Sequence, residues 1–460
     1  MSFAKDFMWG AATSAYQIEG AWNEDGRGPS IWDVCCHEGG RVYGNHTGDT
    51  ACDHYHRFRE DVALMKEIGL KAYRFSLSWP RLLPEGTERV NEVGVRFYNE
   101  LIDALLEVGI EPYVTLFHWD LPYALYQRGG WMNPESMDWF GAYAKLAAER
   151  FSDRVSHFFT LNEPQCFVGL GCLNGTHAPW LMSPLRDTFT MAHNVLKAHG
   201  QGVRMLRRYG KQPLEIGFAP TCSAVYPERE TSKDIEAARQ VMFALPEDLR
   251  DWTWNVSWWS DPVLLGHYPK EGLERFAPYL PQITDEDMEL IAEPIDVYAQ
   301  NIYNGKCVRM GEDGRPEIIS RYPGFPRTAN GWPITPECLY WGPKFLCERY
   351  GKPFYITENG LSCHDVVSLD GRVHDPNRID FLARYLDQLK RAAGEIDLRG
   401  YFQWSLMDNF EWEKGYSERF GLIYVDYRTQ KRTLKDSAYW YREIIRANGS
   451  VLEVDPSEIE

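Results

Sequence analysis

Two short runs in this 460-residue chain end an apolar, β-branched stretch on a glutamate beside an asparagine. In FFTLNEP, residues 158–164, Glu163 stands between Asn162 and Pro164; in YITENG, residues 355–360, Glu358 is followed by Asn359. Two carboxyl groups at the mouths of buried strands suit cleavage of a glycosidic bond, one protonating the leaving oxygen and one attacking the anomeric carbon. The residues that end the other apolar runs fit the same chemistry. His118 and Trp119, Asn301 and Tyr303, Trp404, and then Glu411 and Trp412 offer aromatic faces for sugar C–H groups and polar groups for hydroxyls. Gln17 follows the first run, and Arg74 lies within the second. Burial and the charge of Glu358 are expected to keep Glu163 protonated as the general acid. Arg74 and Tyr303 are expected to keep Glu358 ionised as the nucleophile.

These residues must be positioned by the runs that precede them. Eight strand-like runs occur, near residues 7–13, 72–79, 111–119, 157–164, 215–220, 296–303, 353–360 and 400–406. Their apolar character is continuous rather than alternating, as in strands covered on both faces of a parallel sheet. Amphipathic helices alternate with them: Phe58, Val62, Met65 and Ile68 share one face of FREDVALMKEIGL, and Phe97, Leu101 and Leu105 share one face of VRFYNELIDALLEVGI. Eight such units predict an α/β fold, a single (β/α)₈ TIM barrel of about 250 residues enlarged by long βα loops. A doubly wound sheet is the alternative by periodicity alone, but the chain has neither a Gly-x-Gly-x-x-Gly run after its first strand nor a Walker-type loop. With no linker or repeat, residues 1–446 read as one catalytic barrel and 447–460 as an acidic tail.

Composition narrows the partners. With 66 acidic against 49 basic residues and a net charge of -17, nucleic acid is excluded as a partner. No segment has the length and apolarity of a membrane span or a signal peptide, so a soluble, cytoplasmic protein is expected. The 10 cysteines are scattered without a CxxC pair and read as reduced thiols. The cluster CDHYH, residues 52–56, lacks zinc spacing and opens an amphipathic helix, so capping and surface roles are expected there rather than a metal.

Taken in order, FMWGAATSAYQIEGA, YRFSLSWPR, LFHWDLP, TLNEP, YITENG and WSLMDNFEW resemble glycoside hydrolase family 1, the β-glucosidase family, from about Phe3 to about Arg446. The resemblance implies a (β/α)₈ barrel and hydrolysis of β-glycosides with retention, through a covalent glycosyl-enzyme. It carries over Glu163 as acid/base and Glu358 as nucleophile, supported by Arg74 and Tyr303. It implies that Gln17, His118, Asn162, Glu411 and Trp412 bind sugar hydroxyls, with Asn162 at the 2-hydroxyl and Trp404 as the floor. Trp119, Asn301 and Phe420 complete the substrate-binding set, and Trp332 in NGWPITP lines the aglycone side.

Two departures from that pattern affect the rim. Ile302 stands between Asn301 and Tyr303 where the family has a tyrosine, and LSCHD follows the nucleophile motif. Cys166 and Cys172, in QCFVGLGCLNG, are expected in a rim loop with an effect on aglycone preference at most. Thioglucosidases of the family have glutamine in place of Glu163, and phosphoglycosidases have serine in place of Glu411 with a lysine nearby. An O-glycosidase of non-phosphorylated sugars is therefore expected, although Lys414 lies close to Glu411 in sequence. A non-catalytic sugar-binding protein could dispense with one carboxylate, and this chain keeps both. The expected partner is a small-molecule β-glycoside or oligosaccharide; no cofactor or metal is expected, and a homo-oligomer is compatible with the composition.

Overall fold

The computed structural model describes residues 3–452. Eight strands form its centre: β1 Met8–Ala12, β2 Ala72–Ser76, β3 Glu111–Phe117, β4 His157–Asn162, β5 Glu215–Ala219, β6 Val297–Asn301, β7 Phe354–Asn359 and β8 Leu398–Trp404. Seven fall inside the expected runs, and β8 begins two residues before its run at 400–406. They close into a parallel barrel in sequence order, with β8 returning to β1 in the register Met8↔Gly400 through Ala12↔Trp404. Closure excludes the open, doubly wound alternative.

Both faces of these strands are covered, which explains their unbroken apolar character. Outside, the helices His54–Ile68 and Glu92–Glu107 bury the residues that their spacing predicts, including Met65, Ile68, Leu101 and Leu105. Inside, Ala12, Ala72, Ala219 and Ala299 leave room for the rings of Tyr113, Phe159, Tyr355 and Phe402. The lower barrel interior is thus filled by aromatic side chains, and the cavity lined by strand-end residues opens at the carboxyl ends. The Arg74 guanidinium sits 5.7 Å over the Phe159 ring, at the boundary between this packing and the opening.

Three local expectations are corrected. Asp53 makes no side-chain cap on the helix that follows it; it pairs with His56 and Arg57. QCFVGLGCLNG is a π-helical segment, Gln165–Leu173, because Phe167, Val168 and Leu173 have a core to pack into. The long loops also carry their own short strands, a three-stranded sheet of Ala224–Pro227, Gly305–Met310 and Pro316–Ile318 and a hairpin of Ile423–Asp426 with Lys431–Leu434. Of the acidic tail, residues 447–452 are described, and Asn448 Oδ1 accepts the Trp9 indole N–H at 2.9 Å; residues 453–460 lie outside the described residues. Among the described residues no helix is long and apolar enough to cross a membrane, and no group of three or more His, Cys, Asp or Glu is arranged to hold a metal ion.

A buried ionic cluster locks the loops that follow β7 and β8. Lys435 Nζ lies 2.6 Å from both Asp365 and Asp408, Arg419 lies 2.6 Å from Asp408, and Arg378 pairs with Asp365 and Asp375. Removing one partner leaves buried charge uncompensated. Lys435→Met is therefore expected to lose about 3–5 kcal/mol in urea denaturation; a loss below about 1 kcal/mol would show that these loops are held by other contacts.

Candidate active site

Glu163 follows β4 directly and Glu358 is the penultimate residue of β7, so the barrel brings both to one mouth. A cavity of about 470 Å³ opens there, large enough for a small ligand. Three residues of its wall have left-handed backbone that non-glycine residues rarely adopt: Trp119 at φ 78°, Glu163 at φ 46° and Trp412 at φ 49°. Such conformations persist where the surroundings over-determine them. Glu163 N–H donates to Ala219 O at 2.9 Å, and Trp119 Nε1 donates to Asn162 O at 3.0 Å. Next to Glu358, Gly360 admits the Trp404 carbonyl; a Cβ there would lie 1.9 Å from that oxygen.

The polar groups of the site are oriented by one residue that can only donate hydrogen bonds. Arg74 gives Nε to Thr115 Oγ1 at 3.0 Å, Nη1 to Glu358 Oε1 at 2.8 Å and Nη2 to Asn162 Oδ1 at 2.6 Å. Asn162 must then present its amide nitrogen to His118 Nε2, 3.2 Å away. His118 accepts there, which places its proton on Nδ1. Asn301 must likewise present nitrogen to Asn162 Oδ1, at 3.1 Å, and its second N–H reaches Glu163 Oε1 at 2.8 Å. Asn301 Oδ1 accepts the Thr357 hydroxyl at 2.7 Å, which fixes the same orientation. The Tyr303 hydroxyl donates to Glu358 Oε2 at 2.7 Å.

This arrangement treats the two carboxyl groups unequally. Burial, and then the charge of Glu358, raise Glu163 from the ordinary 4.5 to about 7. Burial also leaves Glu358 raised, against the opposing effect of Arg74 and the Tyr303 hydroxyl. Only Glu358 has a cation in contact, so the shared proton belongs on Glu163. Burial, and then Arg74, hold His118 well below its usual range, consistent with the neutral tautomer derived above. Burial and the nearby Glu413 push Glu411 well up.

Glu163, Glu358, His118, Trp119 and Tyr303 line the cavity, as do Trp332, Trp404, Glu411, Trp412 and Phe420. His118 stacks 5.8 Å from Trp404, and Trp332 stands 37% exposed over the rim, 5.0 Å from Tyr303. Arg74, Asn162 and Asn301 are buried beside these residues, in contact with Glu358, His118 and Glu163. Gln17 is buried as well: its amide donates to Phe410 O at 2.8 Å and Asn409 Oδ1 at 3.0 Å, and reaches Glu411 Oε2 only at 3.5 Å. The structure thus places Gln17 beneath Glu411 rather than at the cavity surface.

Sequence reasoning misses the fifth strand end. Thr221, Cys222 and Ser223 follow β5 and line the cavity, although the rule used for the other strand ends covers them equally. His177 and Asn304 also line it from irregular segments, and Trp254 from the end of a 3₁₀ helix, Leu249–Trp254. The two rim cysteines separate. The Cys166 thiol donates to Glu163 Oε2 at 3.3 Å, a contact with the acid itself, whereas Cys172 lies in a neighbouring apolar cavity with Phe117, Trp131 and Phe167. Ile302 points into the core, and its N–H donates to Glu358 O at 3.0 Å, so the altered residue does not face the cavity. In LSCHD, Ser362 accepts Asn330 N–H at 2.9 Å and Cys363 N–H donates to Arg419 O at 3.0 Å, which ties the Trp332 loop to the Phe420 loop.

Known proteins resemble the chain throughout its length. Residues 1–450 match the family described as Glycosyl hydrolase family 1. Beta-glucosidase A of Thermotoga maritima is 46% identical over 97% of this chain and 98% of its own length. The 1,4-beta-D-glucan glucohydrolase of Thermotoga neapolitana is 45% identical over 97% and 99%. The solved structure of the Thermotoga maritima beta-glucosidase in complex with glucoimidazole superposes with a TM-score of 0.88 at 46% identity, covering 97% of this chain and 99% of that one.

The raised Glu163 has a consequence for stability. Between the ordinary 4.5 and about 7 the unfolded chain releases this proton while the folded chain retains it, so the group destabilises the fold increasingly as pH rises through that window. Glu163→Gln should therefore gain stability over the parent at pH 8, by up to about 3 kcal/mol, and little at pH 4. Equal gains at both pH values in chemical denaturation would contradict the raised acidity constant. Tyr303→Phe removes a donor to ionised Glu358 and should raise that carboxyl by about one pH unit in a ¹³C NMR titration; an unchanged titration would remove Tyr303 from that role.

Proposed function

The chain belongs to glycosyl hydrolase family 1 and is a glycoside hydrolase, and from that premise we propose that it is a retaining β-glucosidase. Its substrates are terminal, non-phosphorylated β-D-glucosyl residues of β-glucosides or short oligosaccharides, and residues 1–446 act as one catalytic barrel. The observation that carries this reading is the unequal environment of the two carboxyl groups: Glu358 is held by Arg74 and Tyr303, while Glu163 has no cation in contact.

In the first step Glu163 protonates the departing glycosidic oxygen as a Glu358 oxygen attacks the anomeric carbon from the opposite face. The bond to the aglycone breaks, and a covalent glycosyl ester forms with inverted configuration. Esterification removes the charge that raised Glu163, which then becomes acidic enough to serve as base. In the second step Glu163 takes a proton from water, water attacks the anomeric carbon, and Glu358 leaves; two inversions give net retention. Asn162 has one amide N–H beyond the one given to His118, and it serves the 2-hydroxyl. Glu411 binds other hydroxyls, the His118 ring lines the wall beside it, and Gln17 acts by holding Asn409 and Phe410, which immediately precede Glu411. Trp404 provides the floor and Trp332 the aglycone wall.

Glucose is supported by the names of the relatives, a beta-glucosidase and a 1,4-beta-D-glucan glucohydrolase. The non-phosphorylated assignment is supported by Glu411 and Glu413 at the inner wall, carboxyl groups where a phosphate would need cations. Lys414 turns outward and lies 3.7 Å from Glu413, so it offers no free cation to the cavity. Ten free thiols support a reducing, cytoplasmic setting.

Glu163→Gln is expected to slow cellobiose hydrolysis by about 10²–10⁴-fold, and a dinitrophenyl glucoside far less, because a good leaving group needs no proton. Equal slowing of both substrates would remove Glu163 from the acid role. Glu358→Ala should abolish turnover, and added azide should restore release of the aryl leaving group and yield the α-glucosyl azide; substantial residual hydrolysis would refute Glu358 as nucleophile.

A further inference from the structure

The two oxygens of Glu163 have different partners. Asn301 Nδ2 holds Oε1 at 2.8 Å, in an orientation fixed by Asn162 and, through it, by Arg74. An amide N–H can donate but not accept, so the carboxylic proton resides on Oε2. That oxygen faces the Cys166 thiol at 3.3 Å. The separation is built into the backbone, because Cys166 N–H donates to Glu163 O at 2.9 Å at the start of the π-helical segment. Burial, and then the Glu163 carboxylate, keep the Cys166 sulfur protonated, and the side chain lines the cavity at 7% exposure.

We propose that Cys166 is a positioning residue for proton transfer, its thiol supplying the hydrogen bond to Glu163 Oε2 each time that oxygen has given up its proton. The inference rests on Glu163 as the acid/base. Before transfer the Oε2 proton points to the glycosidic oxygen and the sulfur stands beside it. After transfer the S–H donates to the bare oxygen and keeps the carboxylate aimed at the incoming water. No bond to sulfur forms or breaks. Asn301 does the same for Oε1 at all times, so Cys166 is the partner that answers to the protonation state.

The other charged and titratable groups facing Glu163 are Glu358 at the end of β7, Arg74 in β2, Tyr303 beyond β6 and Glu411 in the loop after β8; Glu413 acts on Cys166 itself. None of these changes when Cys166 is replaced, so a comparison among Cys166 variants isolates the thiol. A donor to the ionised form lowers a carboxyl's acidity constant. Loss of the thiol must therefore move the alkaline limb of activity upward.

The test is the pH profile of kcat/KM on an alkyl β-glucoside for the parent, Cys166→Ala, Cys166→Ser and Glu163→Gln. Cys166→Ala is expected to shift the alkaline limb up by about half to one pH unit, and Cys166→Ser, which keeps a donor in the same place, to return it to the parent position or below. An unmoved limb in Cys166→Ala, or equal shifts in both cysteine variants, would overturn the proposal and leave only packing. The Glu163→Gln profile separates the two readings. Loss of its alkaline limb confines such a failure to Cys166, whereas a persisting limb would overturn the acid assignment and this inference with it.

Discussion

The Arg74 guanidinium has five N–H groups and no lone pair to offer, and the order of the site descends from that asymmetry. From the middle of β2 it reaches Thr115 on β3, Asn162 on β4 and Glu358 on β7, so one side chain spans four strands at the barrel mouth. Because it can only donate, it decides which way the Asn162 amide lies. Asn162 in turn decides the tautomer of His118 and the orientation of Asn301, and Asn301 decides which oxygen of Glu163 carries the proton. Its charge is buried and is compensated by Glu358, the one carboxylate that must stay ionised.

Packing makes this arrangement rigid. Aromatic rings fill the lower barrel and leave no room for the guanidinium to retreat, while alanines at facing positions let those rings interleave. Above it, strained backbone at Trp119, Glu163 and Trp412 sets the directions of an acid and two rings. Loop ends that would otherwise be mobile are tied by the Lys435 cluster and by LSCHD. Preorganisation of this kind places fixed charges and dipoles where charge develops during reaction, so little rearrangement is needed when it does.

Much of this was legible in the sequence because burial on both faces writes an unbroken apolar run, and eight such runs alternating with amphipathic helices point to parallel βα units, which the closure of β8 onto β1 makes a barrel. Glu163, Glu358, His118 and Trp404 could be read from strand ends for the same reason. The short strands inside the loops could not be, since at three to six residues they are too short to show a period of their own. QCFVGLGCLNG reads as a loop because its glycines hide a helical segment that tertiary contacts impose. Nothing local to Gln17 reveals that Phe410 and Asn409 occupy its amide, or to Cys166 that its thiol meets an acid, because those contacts depend on the closed barrel.

The central claim is that Glu358, ionised by Arg74, attacks carbon directly while Glu163 supplies and then removes a proton. Proton NMR of an aryl β-D-glucoside, recorded with enough enzyme to outrun mutarotation, tests it most directly. The account predicts that β-glucose appears first and the α anomer only later, by mutarotation. α-Glucose appearing first would mean that water attacks in a single step, and would contradict the nucleophilic role of Glu358.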